Sequence, residues 1–119
     1  MAAVVRLGLF GVGRIGQFHA ATIARKTPGV ALGAIVDAVP TAAERLASAT
    51  GAARWGSDPE LILGDSAIDA VVIASPGPTH AGLIQAAAAR GKPIFCEKPL
   101  SLDRAECDAA IAAARAAGV

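Results

Sequence analysis

The sequence predicts an α/β fold in which a doubly wound parallel sheet of about five strands carries helices on both faces. Strand-like and helix-like segments alternate along all 119 residues, which is typical of sheets built from crossover units. Several strand candidates are continuous apolar runs, as expected for parallel strands that are covered on both faces. The first strand candidate leads directly into a glycine-rich turn and then a helix, an order that also favours this fold class.

The elements follow one another closely, and their ends carry local signals. Proline in a first turn and glycine past a last turn mark several helix ends. The strand candidates are Val4–Phe10, Ala31–Val36, a short one near Ala52–Trp55, Ala70–Ala74 and one that begins with Ile94–Cys96. The helix candidates are Gly13–Lys26, Pro40–Ser48, a short one opened by Asp58-Pro59-Glu60, Thr79–Arg90, and one that Ser101 caps and that ends near Gly118.

Composition excludes several classes of function. The net charge is +1 without a basic block, so nothing favours nucleic-acid binding. No apolar run approaches the ~20 residues of a membrane span, and the first strand begins too close to Met1 for a secretory signal. The two cysteines, Cys96 and Cys107, are too few for a disulfide framework or a metal cluster. We therefore expect a cytoplasmic protein with reduced cysteines and no metal site.

The apolar run Val4–Phe10 is followed at once by G-x-G-x-x-G, which here reads Gly11-Val12-Gly13-Arg14-Ile15-Gly16. Gly11 suits a tight turn, Gly13 lets the backbone approach a pyrophosphate, and Gly16 lets the helix pack closely on the strand. Free amide groups at the start of the next helix then face the phosphates. The motif therefore predicts a dinucleotide site, with all six of its residues as candidate cofactor contacts.

The second strand candidate ends in Asp37, about 20 residues beyond the last glycine of the motif. This fold class places there the carboxylate that binds the ribose 2′-hydroxyl. A carboxylate accepts hydrogen bonds from a diol and repels a 2′-phosphate. The next residues, Ala38-Val39-Pro40, offer no arginine to bind such a phosphate. We therefore expect NAD rather than NADP.

Two further loops follow the fourth and fifth strand candidates, Ala74-Ser75-Pro76 through His80 and Glu97-Lys98-Pro99. In open α/β sheets the ligand binds in the crevice outside the carboxyl ends of the strands. We expect both loops to face the same cofactor as the glycine turn. The remaining candidate contacts are Ala74, Ser75, Pro76, His80, Glu97 and Lys98. His19, one turn past the glycine motif, is expected to pack or to donate a hydrogen bond rather than to catalyse.

Taken together, these motifs resemble those of the glucose–fructose oxidoreductase / inositol dehydrogenase / MocA (Gfo/Idh/MocA) oxidoreductases. The glycine turn followed by His19, the segment from Ala74 to His80, and Cys96-Glu97-Lys98-Pro99-Leu100 carry the resemblance, which extends from Val4 to Val119. Glu-Lys-Pro after the fifth strand is its most specific part. The Arg14-Ile15-Gly16 sequence is similar to that of the inositol 2-dehydrogenase branch.

The resemblance implies an NAD(P)-dependent oxidoreductase that acts on a polyol, cyclitol or sugar, in which Lys98 is the catalytic lysine and the Lys98–Pro99 bond is cis. It also implies a C-terminal domain that supplies an Asp and a His for the hydroxyl proton. We expect residues 1–119 to form the dinucleotide-binding Rossmann domain of such a longer protein, lacking that C-terminal domain and inactive by itself. The exposed sheet edge favours self-association, and we expect a homo-oligomer.

Two alternatives from other classes of protein remain at this point. The chain could be a stand-alone NAD-sensing module without catalysis, or a non-catalytic assembly partner that uses its unpaired sheet edge. Glu97-Lys98-Pro99 favours the oxidoreductase, because a sensor has no need for a lysine at the site of hydride transfer.

Overall fold

The computed structural model describes residues 3–119, so Met1 and Ala2 of the predicted domain lie outside the described residues. Its sheet has five strands in the order β3-β2-β1-β4-β5, and every neighbouring pair is parallel. The strands are β1 (Val5–Phe10), β2 (Val30–Val36), β3 (Arg54–Gly56), β4 (Ala70–Ile73) and β5 (Ile94–Cys96). This is the predicted doubly wound parallel sheet.

Five α-helices connect or follow the strands: α1 (Arg14–Lys26), α2 (Pro40–Thr50), α3 (Glu60–Leu63), α4 (His80–Ala89) and α5 (Arg104–Ala117). A single 3₁₀ turn, Gly77–Thr79, precedes α4. The predicted order of elements is confirmed, with most bounds shifted by one or two residues. As expected, Pro40 lies in the first turn of α2, and Gly51 ends it in a left-handed conformation.

The predicted cap of the last helix is wrong. Helix α5 begins three residues later than Ser101, and its cap is Asp103, whose Oδ1 accepts a hydrogen bond from the Ala105 amide at 2.9 Å. Ser101 instead accepts from the Asp103 amide and donates to the Glu106 carboxylate. The Asp103 carboxylate lies next to Arg104, the first helical residue, and reaches an amide of the first turn. Ser101 lies two residues earlier, in the turn before the helix.

Two apolar layers cover the sheet, one on each face. Neighbouring residues of β1 point to opposite layers: Leu9 packs with residues of α1 and α2, and Phe10 with residues of α3, α4 and α5. Fully buried Leu9, Ile35 and Ile73 each stabilise the fold by roughly 2 kcal/mol relative to exposure. In residues 3–119 no helix has the length and apolar character needed to cross a bilayer.

A buried cation fixes the turn that leads into β5. Lys92 is 7% exposed, and its Nζ donates hydrogen bonds to the carbonyl oxygens of Asp65 at 2.8 Å and Ile68 at 2.6 Å. Asp65 in turn accepts from the Ala67 amide and from Arg54, and these bonds lower the pKa of its carboxyl group. These contacts join the loop before β4 to the turn before β5. They therefore help to position β5 and the segment that follows it.

Replacing Lys92 with methionine should therefore destabilise the fold. One buried and one partly buried carbonyl group lose a charged donor, and hydrogen bonds to charged groups contribute about 1.5–3 kcal/mol. We expect the free energy of unfolding, measured by urea titration, to fall by about 2 kcal/mol. The matched control Lys26→Met at the exposed end of α1 should stay within about 0.5 kcal/mol of the unmodified chain. Equal effects of the two substitutions would contradict the role of Lys92.

Candidate functional site

The turn between β1 and α1 is built from close backbone approaches that only glycine permits. Gly11 has a φ of +100°, and a Cβ atom there would lie 2.4 Å from the Ser75 nitrogen. A Cβ atom on Gly16 would lie 2.0 Å from the Gly11 carbonyl oxygen. Around Gly13, in contrast, a Cβ atom would meet nothing within 4 Å. The turn is thus packed tightly against the loop after β4 and open above Gly13.

The start of α1 has the chemistry of an anion site. Gly13 is the N-cap residue, no side chain of the described residues caps it, and the first turn contains no acidic residue. The first amides of a helix have no partner within the helix and carry partial positive charge. Because a Cβ atom at Gly13 would meet nothing within 4 Å, these amides are open to an anionic group.

A cleft of about 540 Å³ lies over this turn at the carboxyl edge of the sheet. It brings together most of the cofactor contacts that the sequence predicts. They are Gly11, Val12, Gly13, Arg14 and Ile15 from the turn, Asp37 from the end of β2, and Ala74, Ser75 and Pro76 from the loop after β4, with Val39 and Ala42 completing the wall. Gly16 lies just below, against Gly11.

Asp37 has a second set of partners that the sequence did not indicate. Its Oδ1 accepts a hydrogen bond from the Val12 amide at 2.8 Å, and its Oδ2 accepts from the Val39 amide at 2.9 Å. The carboxylate therefore ties the end of β2 to the glycine turn. Each carboxylate oxygen can accept more than one hydrogen bond, so both oxygens can also receive hydroxyl donors.

The loop after β4 is held by its own hydroxyl groups. The Thr79 hydroxyl donates to the Pro76 carbonyl oxygen at 2.6 Å, and the Ser75 hydroxyl lies 2.6 Å from the Thr79 oxygen. A second cavity, of about 340 Å³, continues from the cleft along this loop. Gly11, Asp37, Ser75 and Pro76 line both spaces, so they form one extended depression along the sheet edge.

The segment that follows β5 carries the predicted catalytic lysine. The Glu97 amide donates to the Ile73 carbonyl oxygen at 2.9 Å, which continues the pairing of β5 with β4. Lys98 is exposed, and among the described residues its ammonium group has no hydrogen-bond partner. The Lys98–Pro99 bond is cis, which confirms that prediction. Glu97 and Lys98 are not among the residues that line the 540 Å³ cleft.

Both histidines of the chain contact the loops of the site. His19 Nε2 donates to the Glu97 carboxylate at 2.5 Å, which confirms the prediction of a hydrogen-bonding residue. This bond is the main cause of a lowered pKa of the Glu97 carboxyl group, which partial burial opposes. His80 is 2% exposed, with Nδ1 2.6 Å from the Pro99 carbonyl oxygen and Nε2 2.7 Å from that of Ser75. A contact between His80 and a cofactor stays a prediction.

Cys96, the last residue of β5, carries a thiol whose pKa is raised. Burial, together with the charge of Glu97, raises the pKa of the Cys96 thiol to about 11, so it is protonated at neutral pH. Both cysteines are free. Within residues 3–119 no cluster of three or more His, Cys, Asp or Glu side chains could hold a metal ion.

Comparison with known proteins places this site in a family. The model of the Gfo/Idh/MocA oxidoreductases, described as an oxidoreductase family with an NAD-binding Rossmann fold, matches residues 5–119. The chain is 40% identical to scyllo-inositol 2-dehydrogenase (NAD(+)) of Bacillus subtilis over 97% of its own length. It is 48% identical to inositol 2-dehydrogenase of Rhizobium meliloti over 83% of its length.

Solved structures agree with the sequence relatives. A putative myo-inositol dehydrogenase from Sinorhizobium meliloti superimposes with a TM-score of 0.91 at 40% identity, covering 98% of this chain. Scyllo-inositol dehydrogenase from Lactobacillus casei, solved with NAD(H) and scyllo-inositol, superimposes with a TM-score of 0.91 at 30% identity and covers 97%. The chain spans about a third of the length of these relatives, 34% for both structures and for the Bacillus protein and 29% for the Rhizobium protein.

The bond between His19 and Glu97 can be tested by titration. Because the pKa of Glu97 is lowered in the folded chain, its contribution to stability is present above the ordinary glutamate pKa and is lost as the pH falls through the lowered value. We expect carbon-13 NMR of the Glu97 carboxyl group to give a pKa below the ordinary value of about 4.3. Substituting His19→Asn should return it towards that value, whereas an unchanged pKa would contradict the bond.

Proposed function

The chain belongs to the Gfo/Idh/MocA oxidoreductase family, and we propose that it holds NAD for hydride transfer with a polyol, cyclitol or sugar of the inositol type. The observation that carries this proposal is the cleft, in which an uncapped helix start and the Asp37 carboxylate flank an open glycine turn. We further propose that residues 1–119 act as one dinucleotide-binding domain.

Each part of the cleft fits one part of the cofactor. The amides that follow Gly13 are donors for the pyrophosphate, and Gly13 leaves room for it. Asp37, already oriented by two backbone amides, accepts hydrogen bonds from the ribose hydroxyl groups. The other proposed contacts are Gly11, Val12, Arg14, Ile15 and Gly16 of the turn, Ala74, Ser75, Pro76 and His80 after β4, and Glu97 and Lys98 after β5.

Lys98 is the residue of this chain that we assign to catalysis. NAD, when bound, supplies the acceptor for a hydride from the carbinol carbon of the substrate. The exposed Lys98 ammonium can donate a hydrogen bond to the substrate oxygen and stabilise negative charge that develops there. The positive charge of Lys98 contributes to the lowered pKa of the neighbouring Glu97 carboxyl group.

We also propose a cytoplasmic location and a homo-oligomeric state. Two free cysteines suit a reducing compartment. Both edge strands expose a large aromatic side chain, with Trp55 on β3 42% exposed and Phe95 on β5 55% exposed. Unpaired strand edges with exposed apolar side chains favour contact with a second copy.

The preference for NAD over NADP can be tested by changing the charge at the end of β2. Replacing Asp37 with serine and Ala38 with arginine removes the charge that repels a 2′-phosphate and adds a guanidinium group that binds it. We expect calorimetry to show NAD binding more tightly than NADP in the unmodified chain, and the preference to narrow or invert in the double variant. Since Asp37 also orders the glycine turn, the double variant should bind NAD at least tenfold more weakly.

The control for this substitution is Ala38→Arg alone, which keeps the Asp37 carboxylate. It should retain the NAD preference, because the repulsion of the 2′-phosphate persists. Binding of NADP as tight as that of NAD to the unmodified chain would refute the assignment of Asp37.

A polypeptide of these 119 residues should bind NAD but should not turn over a polyol by itself. The contacts that we assign to NAD lie within it, whereas Lys98 is the sole residue that we assign to the reaction. We expect a calorimetric binding signal for NAD and no NADH production above background with myo-inositol, scyllo-inositol or glucose. Sustained NADH production would show that further catalytic groups lie within these residues.

A further inference from the structure

The segment of residues 97–99, here called the Lys98 segment, is held from two sides by the two histidines of the chain. His19 reaches it from α1, and His80 reaches it from the start of α4. The histidines bond to the residues immediately before and after Lys98, namely the Glu97 side chain and the Pro99 carbonyl group. Lys98 itself is exposed, so its position depends on these neighbours.

On the α1 side, His19 combines a hydrogen bond with aromatic packing. Its Nε2–H donates to Glu97 Oε1 at 2.5 Å, and the two side chains are only 22% and 27% exposed. The imidazole ring stands edge to face against Phe95 of β5, with ring centroids 5.4 Å apart. The same helix begins at the glycine turn, so this contact links the proposed phosphate site to the Lys98 segment.

On the α4 side, His80 joins two loops inside the protein. Its ring lies between the carbonyl oxygens of Ser75 and Pro99. Carbonyl oxygens only accept hydrogen bonds. A proton on Nδ1 is therefore donated to Pro99, and a proton on Nε2 is donated to Ser75. Ser75 lines the proposed cofactor cleft, so His80 connects that cleft to the Lys98 segment.

We propose that His19 and His80 are positioning residues. They fix the Lys98 segment to α1, which begins at the glycine turn, and to the loop after β4, the two parts of the chain that hold the cofactor. This inference rests on the proposed function, in which Lys98 acts on the substrate oxygen. Neither histidine touches the reacting atoms; each acts through the residue next to Lys98. Loss of either bond frees one side of the segment, although the glycine turn and Asp37 keep their own contacts.

Substituting each histidine with asparagine or glutamine distinguishes a positioning role from a general effect on the stability of the fold. The amide nitrogen of asparagine lies near the position of histidine Nδ1, and that of glutamine lies near Nε2. His19 uses Nε2 towards the segment, so His19→Gln keeps the bond and His19→Asn removes it. His80 uses Nδ1 towards Pro99, so His80→Asn keeps the bond and His80→Gln removes it, retaining only the contact with Ser75.

Hydrogen exchange of the Glu97 amide, which is bonded to the Ile73 carbonyl group, measures local opening of the segment. We expect exchange about fivefold faster in His19→Asn and His80→Gln, as for the loss of one ordinary hydrogen bond. It should stay within twofold in His19→Gln and His80→Asn. The amide of Ile35 in β2 serves as the reference for global stability and should not follow this pattern.

The response of Lys98 to NAD supplies the second readout. With carbon-13-labelled lysine, the Cε signal of Lys98 is compared with those of Lys26 and Lys92, the only other lysines. We expect NAD to shift the Lys98 signal in the unmodified chain and in the two bond-keeping variants. In the bond-removing variants the shift should fall by at least half, while in His19→Asn the calorimetric affinity for NAD changes less than threefold.

The outcomes distinguish the two proposals. If NAD fails to bind the unmodified chain, the proposed function fails, and the exchange pattern alone decides whether the histidines hold the segment. The positioning role is overturned if all four variants give the same Glu97 amide exchange rate and Lys98 shift. It is also overturned if the same amide side chain, glutamine or asparagine, gives the faster exchange at both positions, or if exchange of the Ile35 and Glu97 amides accelerates together. If the His80 variants do not fold, the two variants of the less buried His19 decide by the same criteria.

Discussion

The approach of α1 to the turn before it is the constraint on which the site depends. At Gly16 the helix meets the Gly11 carbonyl group so closely that no side chain fits between them, and Gly11 in turn meets the backbone at Ser75. These contacts place the uncapped start of α1 between the ends of β1 and β4. The strand order reverses there, which is where open α/β sheets bind ligands. The location of the cleft is therefore a consequence of backbone packing.

Polar side chains then fix the loops around this point. Asp37 bonds to the glycine turn, His80 joins the loops after β4 and β5, and His19 bonds to the segment after β5. Apart from the short-range contact of His80 with Ser75, these bonds connect residues 19 to 78 positions apart, so the carboxyl edge of the sheet is held as one unit. Because the loops are already ordered, little of the free energy of ligand binding is lost in ordering them. Lys98 lies exposed on this edge, between the bonded residues Glu97 and Pro99.

Much of the fold could be predicted because its signals are local. Apolar runs, glycines at helix ends and prolines in first turns each act within a few residues, and the five strands and their flanking helices followed from them. The cap of α5 was missed because Ser101 and Asp103 both suit a cap, and which one reaches a free amide depends on backbone geometry. The glycine motif and Asp37 were recognised by spacing, and the cleft brings them together. The bonds of Asp37 to Val12 and of His19 to Glu97 connect residues 25 and 78 positions apart, for which no local pattern exists.

The proposed function requires that the open space above Gly13 receive the pyrophosphate of NAD. The most direct measurement is calorimetric titration of NAD into Gly13→Val, with urea unfolding of the same variant. A Cβ atom at Gly13 meets nothing within 4 Å, and the backbone there is extended at a φ of −71°, so the free energy of unfolding should change by less than about 1 kcal/mol. We expect NAD affinity to fall at least tenfold in this folded variant. Unchanged affinity would contradict the claim, because a branched side chain would then occupy the space assigned to the phosphates.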